Sequence, residues 1–187
     1  MPIFNYKTEK IFYDTYGSGP LLILHHGFGS NRFSWIKYDW INSLVNEFKI
    51  LIFDALGHGT SSKPHNSDYY TIEERAKLTV SLAKNLNYEK FGFLGFSLGG
   101  RVGFELASNY NNHLNFLVIG GMHNKPPSIN KNIYKRNIKI LKSKKGKFVM
   151  KGNSNRPPND PLALAASYEG MLMWKGLSND TIKFNFP

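Results

Sequence analysis

The pentapeptide Gly95-Phe96-Ser97-Leu98-Gly99 stands directly after an apolar run, Phe91-Gly92-Phe93-Leu94, and directly before a helical pattern. At so tight a strand-to-helix turn the glycines leave room for a strained backbone. The serine hydroxyl then stands out at the carboxyl end of the strand, where it can attack an electrophilic carbon. The helix that follows points its N-terminus at the same spot, so free amides, that of Leu98 first, and the positive end of the helix dipole can meet an oxyanion. A second donor has a source in His25-His26-Gly27-Phe28-Gly29, which follows the run Leu21 to Leu24 and can bring the Phe28 amide alongside that of Leu98. A third glycine-rich turn, Asp54-Ala55-Leu56-Gly57-His58-Gly59-Thr60-Ser61, follows the run Ile50 to Phe53.

The elements that must position these turns are legible in the apolar pattern. Leu21-Leu22-Ile23-Leu24, Ile50-Leu51-Ile52-Phe53, Phe91-Gly92-Phe93-Leu94 and Phe116-Leu117-Val118-Ile119 read as short buried strands. Between them lie helices, one at about 71 to 86, opened by Thr71 with Glu74 three residues on, and one from Ser97 to about Tyr110. Strands alternating with helices imply right-handed crossovers and a largely parallel sheet covered on both faces. Residues 2 to 7 and 10 to 16 read as a hairpin on the edge of that sheet. After Met122 the pattern changes: Pro126-Pro127, a lysine-rich helix at about 130 to 143, a turn at Lys144-Lys145-Gly146, then Arg156-Pro157-Pro158. A last helix at about 161 to 175 starts with Pro161 behind Asp160, and Thr181-Ile182-Lys183-Phe184 reads as a strand.

The three turns, in this order and at these spacings, resemble the α/β-hydrolase superfamily, in which H-G, D-x-x-G-x-G-x-S and G-x-S-x-G sit after successive parallel strands. The match covers residues 1 to about 121 well and the rest loosely. The resemblance implies an α/β fold, a doubly wound, mostly parallel sheet truncated before its last two strands. It divides the chain into a core at 1–121, a helical cap at 122–180 and the start of the next core strand at 181–187. It further implies a serine hydrolase of small esters or other acyl substrates, with Ser97 as nucleophile and the backbone amides of Phe28 and Leu98 as oxyanion hole. A serine at position 97 argues against the dehalogenase branch, whose nucleophile is an aspartate. Asp54 falls where the family supports a loop and takes no part in the triad.

The family's chain order is Ser, then Asp or Glu, then His. After Ser97 the histidines are His113 and His123 and the carboxylates are Glu105, Asp160, Glu169 and Asp180, and no histidine follows the last three. His113 falls on the side away from the catalytic edge and reads as a surface residue. His123, after the strand 116–119, shares an edge with Ser97 and is the candidate for a substitute base or substrate contact. His25 and His26 precede the turn and read as shaping it, while His58 and His65 have no evident carboxylate partner. The chain is thus expected to be an incomplete or inactive N-terminal portion. Its strand at 115–119 should be an apolar edge, open to a complementing C-terminal fragment or to self-association. Gly99-Gly100-Arg101 and the Asp54 turn also resemble 2-succinyl-6-hydroxy-2,4-cyclohexadiene-1-carboxylate synthase, whose anionic substrate would suit a basic cap. A non-catalytic binding module of the same fold is a further alternative.

Composition narrows the rest. The chain has 187 residues, with 24 basic and 13 acidic side chains for a formal charge of +11. Eleven of the basic residues lie between Glu105 and Asp160, an interval without any Asp or Glu, so the remainder is neutral. Such a cluster attracts anions at long range, but no aromatics interleave its lysines as on a single-strand-binding surface, and it reads as a solvated helix face. No nucleic-acid or membrane partner is expected, and no apolar run approaches the roughly 18 residues of a spanning helix. With no cysteine there is no thiolate site or disulfide. The histidines are too scattered for a metal shell and the glycine turns lack phosphate-binding spacing, so no cofactor or metal is expected. Without a signal-like N-terminus, the expected location is cytoplasmic.

Overall fold

The computed structural model describes residues 2–127, 131–143 and 159–177. A six-stranded sheet runs in the order β1-β2-β4-β3-β5-β6. Its first two strands, β1 (Ile3–Tyr6) and β2 (Glu9–Tyr16), form the expected edge hairpin, closed at Lys7-Thr8 with Lys7 at φ 56°. β2 then pairs antiparallel with β4 (Lys49–Phe53). The remaining neighbours, β4 with β3 (Leu21–His25), β3 with β5 (Phe91–Phe96) and β5 with β6 (Leu114–Gly120), are parallel. The register sets His25 opposite Gly95 and Phe96 opposite Gly120, which brings the carboxyl ends of β3, β5 and β6 to one edge.

Side chains alternate between two cores. Leu21, Ile23, Leu51, Phe53, Phe91 and Phe93 face α3 (Ile72–Asn85) and α4 (Leu98–Asn109). The other face presents Leu22, Leu24, Ile50 and Ile52 to two short helices, α1 (Phe33–Lys37) and α2 (Trp40–Leu44), through Trp35 and Ile41. Burying one such aliphatic side chain is worth roughly 1.5–3 kcal/mol, so these rows supply most of the drive to form the sheet. α3 begins where the sequence places it: Thr71 is its N-cap and accepts from the Glu74 amide. α1 and α2 carry no such signature. Each has five residues and no capping side chain, too short for a periodic pattern, and they are held by the burial of Trp35 and Ile41.

Beyond β6 lie α5 (Lys131–Lys142) and α6 (Pro161–Leu172), the latter capped by Asp160 as expected. α6 belongs to the main core as well as to the cap, because Ala163 and Ala166 join the β-sheet cluster. Its Gly170 lies on the backbone of the 3₁₀ turn Ser67–Tyr70, where a Cβ would stand 2.6 Å from the Ser67 oxygen. The turn at 144–146, the proline pair at 157–158 and the strand expected at 181–184 lie outside the described residues.

β6 is the outer strand of the sheet. Leu117 and Ile119 pack toward Gly103 of α4, while Phe116 covers Gly92 on the opposite face and Val118 there is 47% exposed. Parallel strands are ordinarily buried on both faces. Among the described residues nothing covers the face of β5 and β6 beyond α1 and α2.

Candidate active site

Ser97 occupies the hinge between β5 and α4 with φ 54° and ψ −108°, a conformation that costs on the order of 1–3 kcal/mol for a residue with a Cβ. Its neighbours enforce it. Its amide donates to the Gly120 carbonyl at 2.8 Å, tying the hinge to the end of β6. The two glycines of the motif are required by close approach: a Cβ at Gly95 would lie 2.2 Å from the Gly99 oxygen, and one at Gly99 would lie 2.2 Å from the His25 oxygen. The G-x-S-x-G spacing is therefore the spacing at which helix α4 can sit directly against β5 on one side and β3 on the other.

Across the hinge lies the turn after β3. Gly27 stands against Ser97, and the next two turn positions carry Phe28 and Gly29, the latter at φ 72°. Among the described residues neither the Phe28 nor the Leu98 amide donates to a backbone acceptor. The two adjacent histidines are spent on shaping the turn. His26 Nδ1 bonds the Gly27 carbonyl at 2.8 Å and must donate there, so its Nε2 is the acceptor for the Ala55 amide at 3.1 Å. His25 Nδ1 donates to the His26 carbonyl. Burial holds both rings below the ordinary histidine pKa, and His58, edge-on to His26 and Phe28, is lowered in the same way.

Asp54 is fully buried and supports the third turn. Its Oδ1 accepts from the Arg32 amide at 2.8 Å; its Oδ2 accepts from the Thr60 amide at 2.8 Å and from the Arg32 guanidinium. Ser61 fastens the same turn to β2, accepting from Phe12 and donating to the Asp54 carbonyl. Every oxygen of Asp54 is occupied away from Ser97, the support role that the resemblance implies.

Ser97, Phe28 and Gly27 open into a cleft of about 450 Å³ whose walls are mainly apolar, with Trp35, Trp40, Phe96 and Val118 prominent. Leu98 turns its side chain the other way, into a cluster with Ile72, Met171 and Trp174 that joins the core to α6. The aromatic wall is the part of the site that sequence reasoning missed. Its only signal was the crowding of Trp35, Tyr38 and Trp40 within six positions after the His25 turn.

Among the described residues no side chain hydrogen-bonds the Ser97 hydroxyl, and the candidate partners lie elsewhere. His123 is exposed, and its Nδ1 accepts from the Lys125 amide at 3.2 Å. His113 bonds the Glu89 carbonyl at the far end of the sheet, and His65 pairs with Asp160 at 2.8 Å. Glu105 is buried and accepts from Trp174, while Glu169 pairs with Lys142. Arg101 is buried against Trp174, Tyr134 and Met122, outside the walls of the Ser97 cleft. Asp180 lies outside the described residues. No group of three or more His, Asp or Glu side chains that could hold a metal occurs among the described residues. No helix there is long and apolar enough to cross a membrane.

Comparison with known proteins agrees with this fold. A fluoroacetate dehalogenase from Burkholderia sp is 35% identical over 97 residues, covering 50% of this chain and 31% of that protein. A putative 2-succinyl-6-hydroxy-2,4-cyclohexadiene-1-carboxylate synthase from Bacillus subtilis is 26% identical over 94 residues, covering 50% of this chain and 33% of its own length. The matched part thus spans about a third of these curated relatives. Among solved structures, a hydrolase from Pseudomonas aeruginosa superposes with a TM-score of 0.79 at 22% identity, covering 93% of this chain and 73% of the other. A thermophilic esterase from Thermogutta terrifontis gives a TM-score of 0.75 at 23% identity, covering 90% and 69%. Residues 20–139, well over half of the chain, match the family described as alpha/beta hydrolase fold. The chain belongs to the alpha/beta hydrolase fold family.

Proposed function

We propose that this chain carries the nucleophilic half of a serine hydrolase acting on a small ester or other acyl substrate with an apolar group. Ser97 Oγ attacks the acyl carbon, and the amides of Phe28 and Leu98 hold the oxyanion of the tetrahedral intermediate. Its collapse expels the leaving group, and water then releases the acyl group from Ser97. The observation that carries this reading is the strained Ser97 hinge packed against Gly27, with both amides unspent at the mouth of an apolar cleft. Strain of this kind persists where it serves a site.

The step that takes the serine proton needs a base. With Nδ1 accepting from Lys125, neutral His123 carries its proton on Nε2, which suits a donor to substrate better than a proton acceptor. In this reading the base is supplied by a complementing C-terminal polypeptide that adds to the edge of β6. The exposed Val118 and Phe96 support that docking face, and pairing of two copies there is its competitor.

The test is hydrolysis of p-nitrophenyl acetate and butyrate by the protein purified from its own source, beside a Ser97→Ala variant. The expected result is turnover that the substitution abolishes and that depends on a co-purifying polypeptide. Turnover unchanged by Ser97→Ala overturns the assignment, and no turnover from any preparation favours a binding module.

A further inference from the structure

The cap carries the chain's whole excess of positive charge, since residues 106–159 hold eleven basic side chains and no Asp or Glu. By pattern alone such a run is a solvated face. The placement of α5 makes it more than that. Its inner side is spent on the fold: Leu141 is buried with Leu164 and Ala165 of α6, Ile138 packs on the same cluster, and Asn137 bonds Tyr168. Its outer side holds two rows. Lys131, Lys135, Lys139 and Lys142, spaced by four, four and three residues, form one row, and Ile133, Arg136 and Ile140 form the next. All seven are exposed, Ile133 by 51% and Ile140 by 39%.

These cations are poorly matched within the protein. Lys142 pairs with Glu169 at 2.6 Å, but Lys131, Lys135, Arg136 and Lys139 form no ion pair among the described residues. The other described carboxylate of the cap, Asp160, is taken by His65. Like charges four residues apart repel along the lysine row. Lys131 also stands in a first turn without an acidic residue, where the helix dipole disfavours a cation. A helix charged against its own stability, and unmatched inside the protein, is suited to an anion outside it.

The isoleucines select the class of anion. Beside the phosphates of a nucleic acid two exposed aliphatic side chains gain nothing, and stacking on bases needs aromatics. The one aromatic residue of α5, Tyr134, lies edge-on to Tyr168 of α6. At a bilayer, by contrast, lysines reach the headgroups while aliphatic tips enter the boundary with the acyl chains. We propose that the outer face of α5 docks on an anionic lipid surface, with Lys131, Lys135, Arg136 and Lys139 on the headgroups and Ile133 and Ile140 entering that boundary. The contact is peripheral, because the other side of α5 is committed to α6. The cluster beneath α5 includes Phe28, so the docking helix and the turn that faces Ser97 share one packing unit. Docking does not depend on whether Ser97 turns over a substrate.

The experiment is flotation of the complete chain on a density gradient, where protein aggregates sink, with phosphatidylcholine vesicles that contain or lack phosphatidylglycerol. The expected result is flotation with the anionic vesicles alone, lost as added salt shortens the Debye length. Equal flotation with both vesicles, or with neither, overturns the proposal. Lys135→Gln and Lys139→Gln should each weaken binding about fivefold. Ile133→Ser combined with Ile140→Ser leaves the charge unchanged and should weaken binding too; wild-type strength in that variant overturns insertion and reduces the contact to a general attraction for polyanions. These positions are exposed, so none of the substitutions should lower thermal stability. The chain has no cysteine, so Ile140→Cys offers a unique site for an environment-sensitive fluorophore. Its emission should shift to the blue on anionic vesicles, while that of Asn112→Cys, in the turn that enters β6 at the far end of the sheet, should stay. A shift at both positions, or at neither, contradicts docking through α5.

Discussion

A methyl group placed on Gly27 would stand 3.3 Å from the Cβ of Ser97. The contact seats the turn that carries Phe28 against the serine hinge, and it explains why two turns separated by 70 residues of sequence must be built together. Gly27→Ala needs only a few tenths of an ångström of give and should cost less than about 1 kcal/mol, yet it pushes the turn away from Ser97. Gly99→Ala meets a backbone oxygen, that of His25, at 2.2 Å, and should cost at least about 1–3 kcal/mol. Urea unfolding of the two variants checks the order; equal losses would contradict the packing described.

Asp54 should prove essential to folding and irrelevant to chemistry. Its oxygens accept from the buried Arg32 guanidinium and from the amides of Arg32 and Thr60, while Asp14 accepts from Arg32 Nε at 2.7 Å. Removing one partner of a buried, hydrogen-bonded ion pair costs about 3–5 kcal/mol, so Asp54→Ala should fall in that range by equilibrium unfolding. A loss under about 1 kcal/mol would mean that the pair with Asp14 alone satisfies the Arg32 charge.

The pH dependence follows from three buried histidines. His25, His26 and His58 have folded pKa values below their unfolded ones, chiefly through burial. Below about pH 6.5 the unfolded chain takes up protons that the folded chain refuses, so stability falls as pH falls. Each histidine contributes up to about 1.4 kcal/mol per pH unit in that range. Denaturant titrations from pH 7.5 to 5.5 should show the decline, and a flat profile would contradict the neutral, buried rings.

The open face of β6 should govern behaviour in solution. Val118 on the outer strand β6 is 47% exposed and Phe96 at the end of the neighbouring β5 is 55% exposed, an arrangement prone to association. Sedimentation of the chain alone should show self-association, and Val118→Lys should suppress it. A monodisperse wild-type monomer at high concentration would contradict this reading.

Much of this was legible in the residues, for identifiable reasons. The strands β3 and β4 are continuous apolar runs because they are buried on both faces, and α3 and α6 begin at Thr71 and Asp160 because those side chains satisfy free amides. The Ser97 turn was legible because glycine is the only residue that fits where α4 touches β5 and β3. α1 and α2 were not, since five-residue helices have no period to detect. Arg75 was hidden too: an arginine at a helical position reads as solvated, and only the packing of α6 over α3 buries it.

The most direct test of the central claim is intact-mass spectrometry of the chain after exposure to a fluorophosphonate, with and without free imidazole. If Ser97 is a nucleophile in a prepared site without its own base, the chain alone should label slowly. Added imidazole, which the open cleft can admit, should drive labelling toward one adduct at Ser97, and Ser97→Ala should abolish it. Rapid stoichiometric labelling without imidazole would show that this chain already holds a base, and imidazole-independent absence of any adduct would show that Ser97 is no nucleophile.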